Sequence, residues 1–279
     1  MYTLYTATGC TRCKLVMQKM QELGIPYQEH DIKAAGKETF QQFYTANRKA
    51  IYRGPEGIEF PILSDGDSIR QGLGPALAWV QTGDKLRGFF RIGRLHKEWL
   101  DGINVSGGSP DMASDFLELL RYLKRNAMKL EVETSGKNAD ILAVVADENL
   151  ADRVIMSVLG PLNLYSNIAG TAITEDEIRK SIALVARFPE RQFQTEVVPV
   201  RRENDTFSYL TPDEIGEAAA LLEQAAGSKQ QPYCLRLFHP VCAQEAAVRE
   251  LEPMNSGMLF PYRSRARDFQ VKTEIQREA

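Results

Sequence analysis

Two cysteines three positions apart, Cys10 and Cys13, stand at the point where a β-rich stretch gives way to a helical one. A Cys-x-x-Cys pair supports one of two chemistries: reversible dithiol–disulfide exchange, or half of a metal site. The spacing and position favour the redox pair. At a helix N-terminus the first thiol faces unpaired backbone N–H groups and the positive end of the helix dipole, which stabilise a thiolate. This draws the thiol down from its free value of roughly 8.5. Arg12 and Lys14 add positive charge nearby, so both are expected to tune the thiol in the same direction. Cys10 is then the attacking nucleophile and Cys13, one turn inside the helix, the resolving thiol. The reaction is exchange through a mixed disulfide.

The metal alternative has few donors to draw on. The chain contains four cysteines and three histidines, His30, His96 and His239. Cys234 and Cys242 are eight positions apart and do not form a second Cys-x-x-Cys, which removes a zinc site built from two such halves. Cys234, His239 and Cys242 offer three ligands where structural zinc takes four. No metal site is assigned. A cluster shared between two copies through Cys10 remains the less favoured alternative.

The elements around the pair alternate. Tyr2 to Thr6 reads as a strand, and Val16, Met20 and Leu23 recur at helical spacing up to Gly24. A strand follows from Ile25 to about Asp31, and a polar helix from Lys37 to Arg48. Glu59 to Leu63 is a short apolar strand, Asp65-Gly66-Asp67 a tight turn, Ser68 to Gln71 its partner, and a last helix runs from Gly74 to Gln81. The order β-α-β-α-β-β-α is that of the thioredoxin fold, over residues 1–82.

After Gly83-Asp84-Lys85 the rhythm changes to strand-then-helix units, which imply a partial parallel (β/α) barrel over residues 88–240. Five strands are expected near Ile103, Leu130, Arg153, Phe193 and Cys234, with Phe89 to Ile92 as a candidate sixth. Residues 241–279 show no clear period and are expected to pack on the barrel. The 279-residue chain is thus read as α/β, with two domains and a C-terminal extension.

Composition excludes more than it selects. With 43% hydrophobic and 25% charged residues and a net charge of -3, no pull toward nucleic acid or an anionic membrane is expected. No run approaches the roughly 20 apolar residues of a membrane span. The first residues carry neither a basic n-region nor an apolar h-region, so the cytoplasm is the expected compartment. Arg263, Arg265 and Arg267 are interleaved with Ser264, Ala266 and Asp268 and read as a solvated surface.

Tyr5-Thr6-Ala7-Thr8-Gly9-Cys10-Thr11-Arg12-Cys13 followed by Gly24-Ile25-Pro26-Tyr27 resembles the glutaredoxins and glutaredoxin-like redoxins. The resemblance implies that Thr11, Phe60, Pro61 and Gly72 contact substrate, with Pro61 in the cis form opposite the active cysteine. Two departures stand out. Thr11-Arg12 replaces the Pro-Tyr common in that family, and Gln71-Gly72-Leu73-Gly74-Pro75 lacks the acidic residues that hold glutathione. No cofactor is required. The partners expected are a protein disulfide and, as its reductant, glutathione, a thioredoxin reductase or a dedicated partner.

Residues 102–110 resemble the Ser-Gly-Gly-Glu-Pro segment of radical S-adenosylmethionine enzymes, closest to activators of glycyl-radical systems. The likeness continues through Glu133-Thr134-Ser135-Gly136, Gly160-Pro161-Leu162-Asn163 and Leu237-Phe238-His239-Pro240. Those enzymes carry three cluster cysteines ahead of the Gly-rich strand, and residues 86–102 here contain none. Ser109 stands for the cofactor-binding glutamate, and Ser157 and Leu159 for Asp and Lys. The barrel therefore reads as degenerate, with no iron–sulfur cluster expected and residual radical S-adenosylmethionine-type cofactor binding kept as a lesser alternative. Ser106, Gly107 and Gly108 are candidates for a residual small-molecule pocket or for a tight strand-to-helix turn. Glu131 and Glu133 share one strand face, and His96 and His239 are expected to serve structure.

Overall fold

A computed structural model describes residues 1–55, 57–94, 97–202 and 205–276 of the chain. His96 lies outside the described residues. The chain forms two compact units: 1–132 with 149–152, and 133–148 with 153–279.

The first unit opens with β1 (Tyr2–Thr6), α1 (Thr11–Glu22), β2 (Tyr27–Asp31) and α2 (Lys37–Asn47). A two-residue ribbon, β3 (Arg53–Gly54) with β4 (Gly57–Ile58), lies in the loop that follows. Then come β5 (Ile62–Ser64), β6 (Ile69–Gln71) and α3 (Leu73–Thr82). The sheet order is β2-β1-β5-β6, with β1 parallel to β2 and antiparallel to β5. This is the thioredoxin arrangement expected from the sequence.

Local chemistry explains α1. Cys10 is its extended N-cap, and Cys13, Val16 and Met20 fall on one buried face. At its far end the Ile25 N–H donates to Met20 O and the Gly24 N–H to Gln21 O. That pairing is a Schellman stop, and it needs the left-handed φ of 65° that Gly24 supplies. Tyr5, Ile51 and Ile62 form a core cluster on which Phe40, Phe43 and Phe60 pack, with the Tyr5 and Phe43 rings 4.4 Å apart.

Residues 83–89 are a 3₁₀ segment leading to β7 (Trp99–Asn104), α4 (Ala113–Arg125) and β8 (Lys129–Thr134). The candidate strand at Phe89 to Ile92 is not one: Phe89 ends the 3₁₀ segment and Phe90 makes a single antiparallel bridge to Ile103. Phe89 instead stacks on Phe116 at 4.2 Å, so its apolarity is spent on packing against α4. The expected strand at Glu59 is also shorter, since pairing with β1 begins only at Ile62, after Pro61.

The remaining elements are α5 (Ala139–Asp147), β9 (Arg153–Ser157), α6 (Leu162–Ala169), α7 (Glu175–Val185) and β10 (Glu190–Val197). A hairpin of β11 (Pro199–Arg201) and β12 (Phe207–Tyr209) precedes α8 (Pro212–Ala226) and β13 (Tyr233–Leu237). The tail carries α9 (Ala246–Arg249), α10 (Phe260–Ala266) and β14 (Thr273–Ile275). One parallel sheet runs β7-β8-β9-β10-β13-β14, a partial (β/α) barrel of six strands. The sixth strand comes from the tail, where β14 pairs in parallel with β13, and not from residues 89–92. Both α7 and α8 start with capping boxes, Thr174 with Glu177 and Thr211 with Glu214.

Candidate functional site

The N-terminus of α1 holds the cysteines. Cys10 and Cys13 form a disulfide with Cα atoms 5.3 Å apart. The Cys10 Sγ also accepts the Cys13 N–H at 3.1 Å, so sulfur does the capping that Ser or Asp does elsewhere. Cys10 is half-buried, whereas Cys13 is 1% exposed. Cys10 is therefore the more exposed residue of the pair.

The charge of Arg12 is met by a residue that the sequence did not single out, Glu59. Arg12 is buried and ion-paired with Glu59, and its second guanidinium nitrogen donates to the Trp99 carbonyl at 2.7 Å. Glu59 directly precedes Phe60 and Pro61, whose peptide bond is cis. One guanidinium thus ties the first turn of α1 to the proline loop and to the start of β7. Lys14 and Thr11 are exposed on the first turn. Phe60 is half-buried beside Phe40, at 5.4 Å between ring centroids, and Pro61 is buried. The Gly72 N–H donates to Pro61 O at 2.8 Å with a φ of 89°, a backbone position suited to glycine.

Three more groups frame the site and carried no distinguishing sequence signal. Asp31 accepts from the Thr8 hydroxyl at 2.5 Å and from the Lys33 N–H at 2.9 Å, bonds that hold its carboxyl below the usual carboxylate range. The bond to Thr8 pins the loop that leads to Cys10. Tyr122, on α4, donates to Leu15 O at 2.8 Å on the helix that carries the cysteines. Burial pushes this phenol up to about 12. Gln71 bridges Tyr52 and Glu59 through both ends of its buried amide. Glu59 could have been noticed only as an acid one step before a Phe-Pro pair.

Just after β7, Ser106 is half-buried in a 3₁₀ turn whose N-cap, Asn104, accepts the Ser106 N–H at 3.0 Å. Gly107 lies backbone to backbone against Gly88, and Gly108 lies under the Phe89 ring. Any side chain at either glycine would collide with those neighbours, so the space beside them is filled by the 3₁₀ segment. Glu131 is buried and Glu133 half-buried. Ser109 is exposed and Ser157 accepts from Gln194 at 3.2 Å.

A [4Fe–4S] cluster needs three or four thiolates. The two cysteines outside the disulfide are Cys234, half-buried on β13, and Cys242, exposed beyond it. Burial raises Cys234, which favours its neutral thiol. Among the described residues no group of three or more His, Cys, Asp or Glu side chains is placed to hold a metal. The donor set does not fit a cluster.

Fold and site together define a thioredoxin-fold module with a disulfide-forming Cys-x-x-Cys pair, joined in one chain to a partial parallel barrel. Among solved structures, similarity is found to the glutaredoxin-like protein NrdH-redoxin from Escherichia coli, described for its thioredoxin-like activity profile. Identity is 20%, over 26% of this chain and 84% of that one, with a TM-score of 0.21. Similarity is also found to a domain of pyruvate-formate lyase-activating enzyme from Bacteroides vulgatus, at 14% identity over 64% of this chain and all of that one, with a TM-score of 0.44. No protein-family model matches the chain, and no curated protein sequence matches it.

Proposed function

We propose that this protein is a thiol–disulfide oxidoreductase acting through Cys10 and Cys13. The observation that carries the reading is the disulfide itself, built with a half-buried sulfur at a helix N-cap and a buried one a turn inside. In the reduced protein the Cys10 thiolate attacks one sulfur of a client disulfide and displaces the other as a thiolate. The Cys13 thiol, losing its proton, then attacks the Cys10 sulfur, re-forms the Cys10–Cys13 disulfide and releases the second client thiol. Two electrons pass to the client, and a dithiol reductant or two equivalents of glutathione restore the pair.

In this reading Thr11, Phe60, Pro61 and Gly72 line the path of the client chain, and Lys14 adds surface charge beside it. Arg12 acts as an anchor of the first turn of α1 through Glu59. The client is a protein disulfide, the compartment the cytoplasm, and neither nucleic acid nor a membrane is a partner. The organisation is a redox domain over 1–82, a barrel over 88–240 used for docking or substrate selection, and an extension over 241–279.

One observation favours a second reading, a redox sensor or scaffold in an anaerobic or glycyl-radical system. Arg12 lies between the two cysteines and bonds to the Trp99 carbonyl of β7, so a change in the dithiol state has a direct mechanical route into that strand. Insulin reduction with dithiothreitol as terminal reductant separates the two. Catalysed turnover that vanishes in Cys10→Ser supports the oxidoreductase. Absent turnover, with a reversible disulfide, supports the sensor.

A further inference from the structure

A second concave site lies along β6, the edge strand of the four-stranded sheet. A cavity of about 440 Å³ there is lined by Arg70, Arg87, Arg91 and Arg94, and by no lysine, aspartate or glutamate among the described residues. Phe90 and Ile92 give it an apolar wall. Four arginines on one cavity concentrate positive charge there, which favours an anionic occupant.

One neighbouring acid, Asp84, offsets part of this charge. Arg70 is ion-paired with Asp84, and its guanidinium lies 4.8 Å over the Trp79 ring. Asp101 accepts the Arg94 backbone N–H at 2.7 Å. The side chains of Arg87 and Arg94 make no ion pair among the described residues. The size lies in the range of about 300–1,000 Å³ typical of small-ligand pockets. Arginine forks match phosphate oxygens two at a time, which lysine does not do.

We propose that this cavity binds a small molecule bearing a diphosphate group, with the phosphates held by Arg87 and Arg94 and oriented beside Arg70 and Arg91. Arg87 and Arg94 together carry two positive charges, which a single monoanion would match only in part, whereas a diphosphate supplies at least two negative charges within the span of one cavity. The apolar wall leaves a place for an uncharged portion. Free inorganic diphosphate and a nucleoside diphosphate share this chemistry.

Calorimetric titration of the full chain at fixed ionic strength tests it, with inorganic diphosphate, ADP, inorganic phosphate and citrate as probes. Saturable one-to-one binding of diphosphate or ADP is expected, at least about tenfold tighter than phosphate or citrate. Tighter ADP identifies a nucleoside portion; equal affinities identify diphosphate alone. Arg87→Gln and Arg94→Gln should each weaken binding about tenfold or more, the loss expected for one charge-assisted hydrogen bond. Arg125→Gln, on the exposed face of α4, should change nothing. Phenylglyoxal labelling of the unaltered protein gives an independent readout: diphosphate should slow labelling of Arg87 and Arg94 but not of Arg125. No saturable binding, equal binding of citrate, indifferent variants, unprotected arginines, or binding of acidic peptides alone would each overturn the assignment.

Discussion

Replacing Glu59 with alanine removes the carboxylate that faces Arg12 and leaves the guanidinium in place. The side chains of the pair are 9% and 15% exposed, so water replaces little of what is lost. Breaking a buried ion pair from one side costs about 3–5 kcal/mol, because a charge stays buried without its partner. Arg12 keeps its bond to the Trp99 carbonyl, which puts the expected loss near the lower end, about 3 kcal/mol. Adding Arg12→Met removes the buried charge that lost its carboxylate, and the double variant should regain about 2 kcal/mol of that loss, as apolar replacements of buried pairs do. Urea unfolding followed by tryptophan fluorescence reads this cleanly. The chain has two tryptophans, Trp79 and Trp99, and both belong to the first compact unit. The reasoning fails if Glu59→Ala costs less than about 1 kcal/mol. It fails equally if the two substitutions add to within about 0.5 kcal/mol, the behaviour of uncoupled sites.

Further outcomes follow from other bonds. The Asp31 carboxyl is held below its ordinary range, first by the Thr8 hydroxyl and then by the Lys33 N–H. A depressed carboxyl contributes stability above its unfolded value and loses it as pH falls through the folded one. The urea midpoint of the native protein should therefore exceed that of Asp31→Asn by a constant margin above about pH 5, and the margin should shrink below about pH 4. A margin that persists undiminished in stronger acid argues against it. In the oxidised protein, DTNB should titrate Cys242 quickly and Cys234 slowly, because the first is exposed while burial raises the second; Cys242→Ser should erase the fast phase. Tyr122→Phe removes the 2.8 Å bond to Leu15 O and should lower stability by about 1 kcal/mol, read from the same urea curves.

The parts of the fold that follow local rules could be read from the sequence. Thr211 with Glu214, Pro212 at the first turn and Gly227 beyond the end bound α8 through neighbouring residues alone. The same holds for α1, where Cys10 begins the helix and Gly24 ends it. Elements fixed by distant partners were not legible. β14 is three residues, Thr273 to Ile275, and becomes a strand only by pairing with β13. Phe89 and Phe90 have strand-like composition, but packing on Phe116 claims them. α6 follows Pro161 without a capping side chain, so its start is set by tertiary context. At the site, the cysteines and Pro61 announced themselves through motif and spacing. Glu59 did not, because the partner that makes it important lies 47 positions away.

The reading as an oxidoreductase stands on Cys10 being the sulfur that meets the client. Reduced Cys13→Ser protein, mixed with hydroxyethyl disulfide and analysed by peptide mass spectrometry, tests this directly. The account predicts a stable mixed disulfide on Cys10, while the wild-type protein passes through it and ends as the Cys10–Cys13 disulfide. An adduct that accumulates on Cys234 or Cys242 while Cys10 stays free would contradict it.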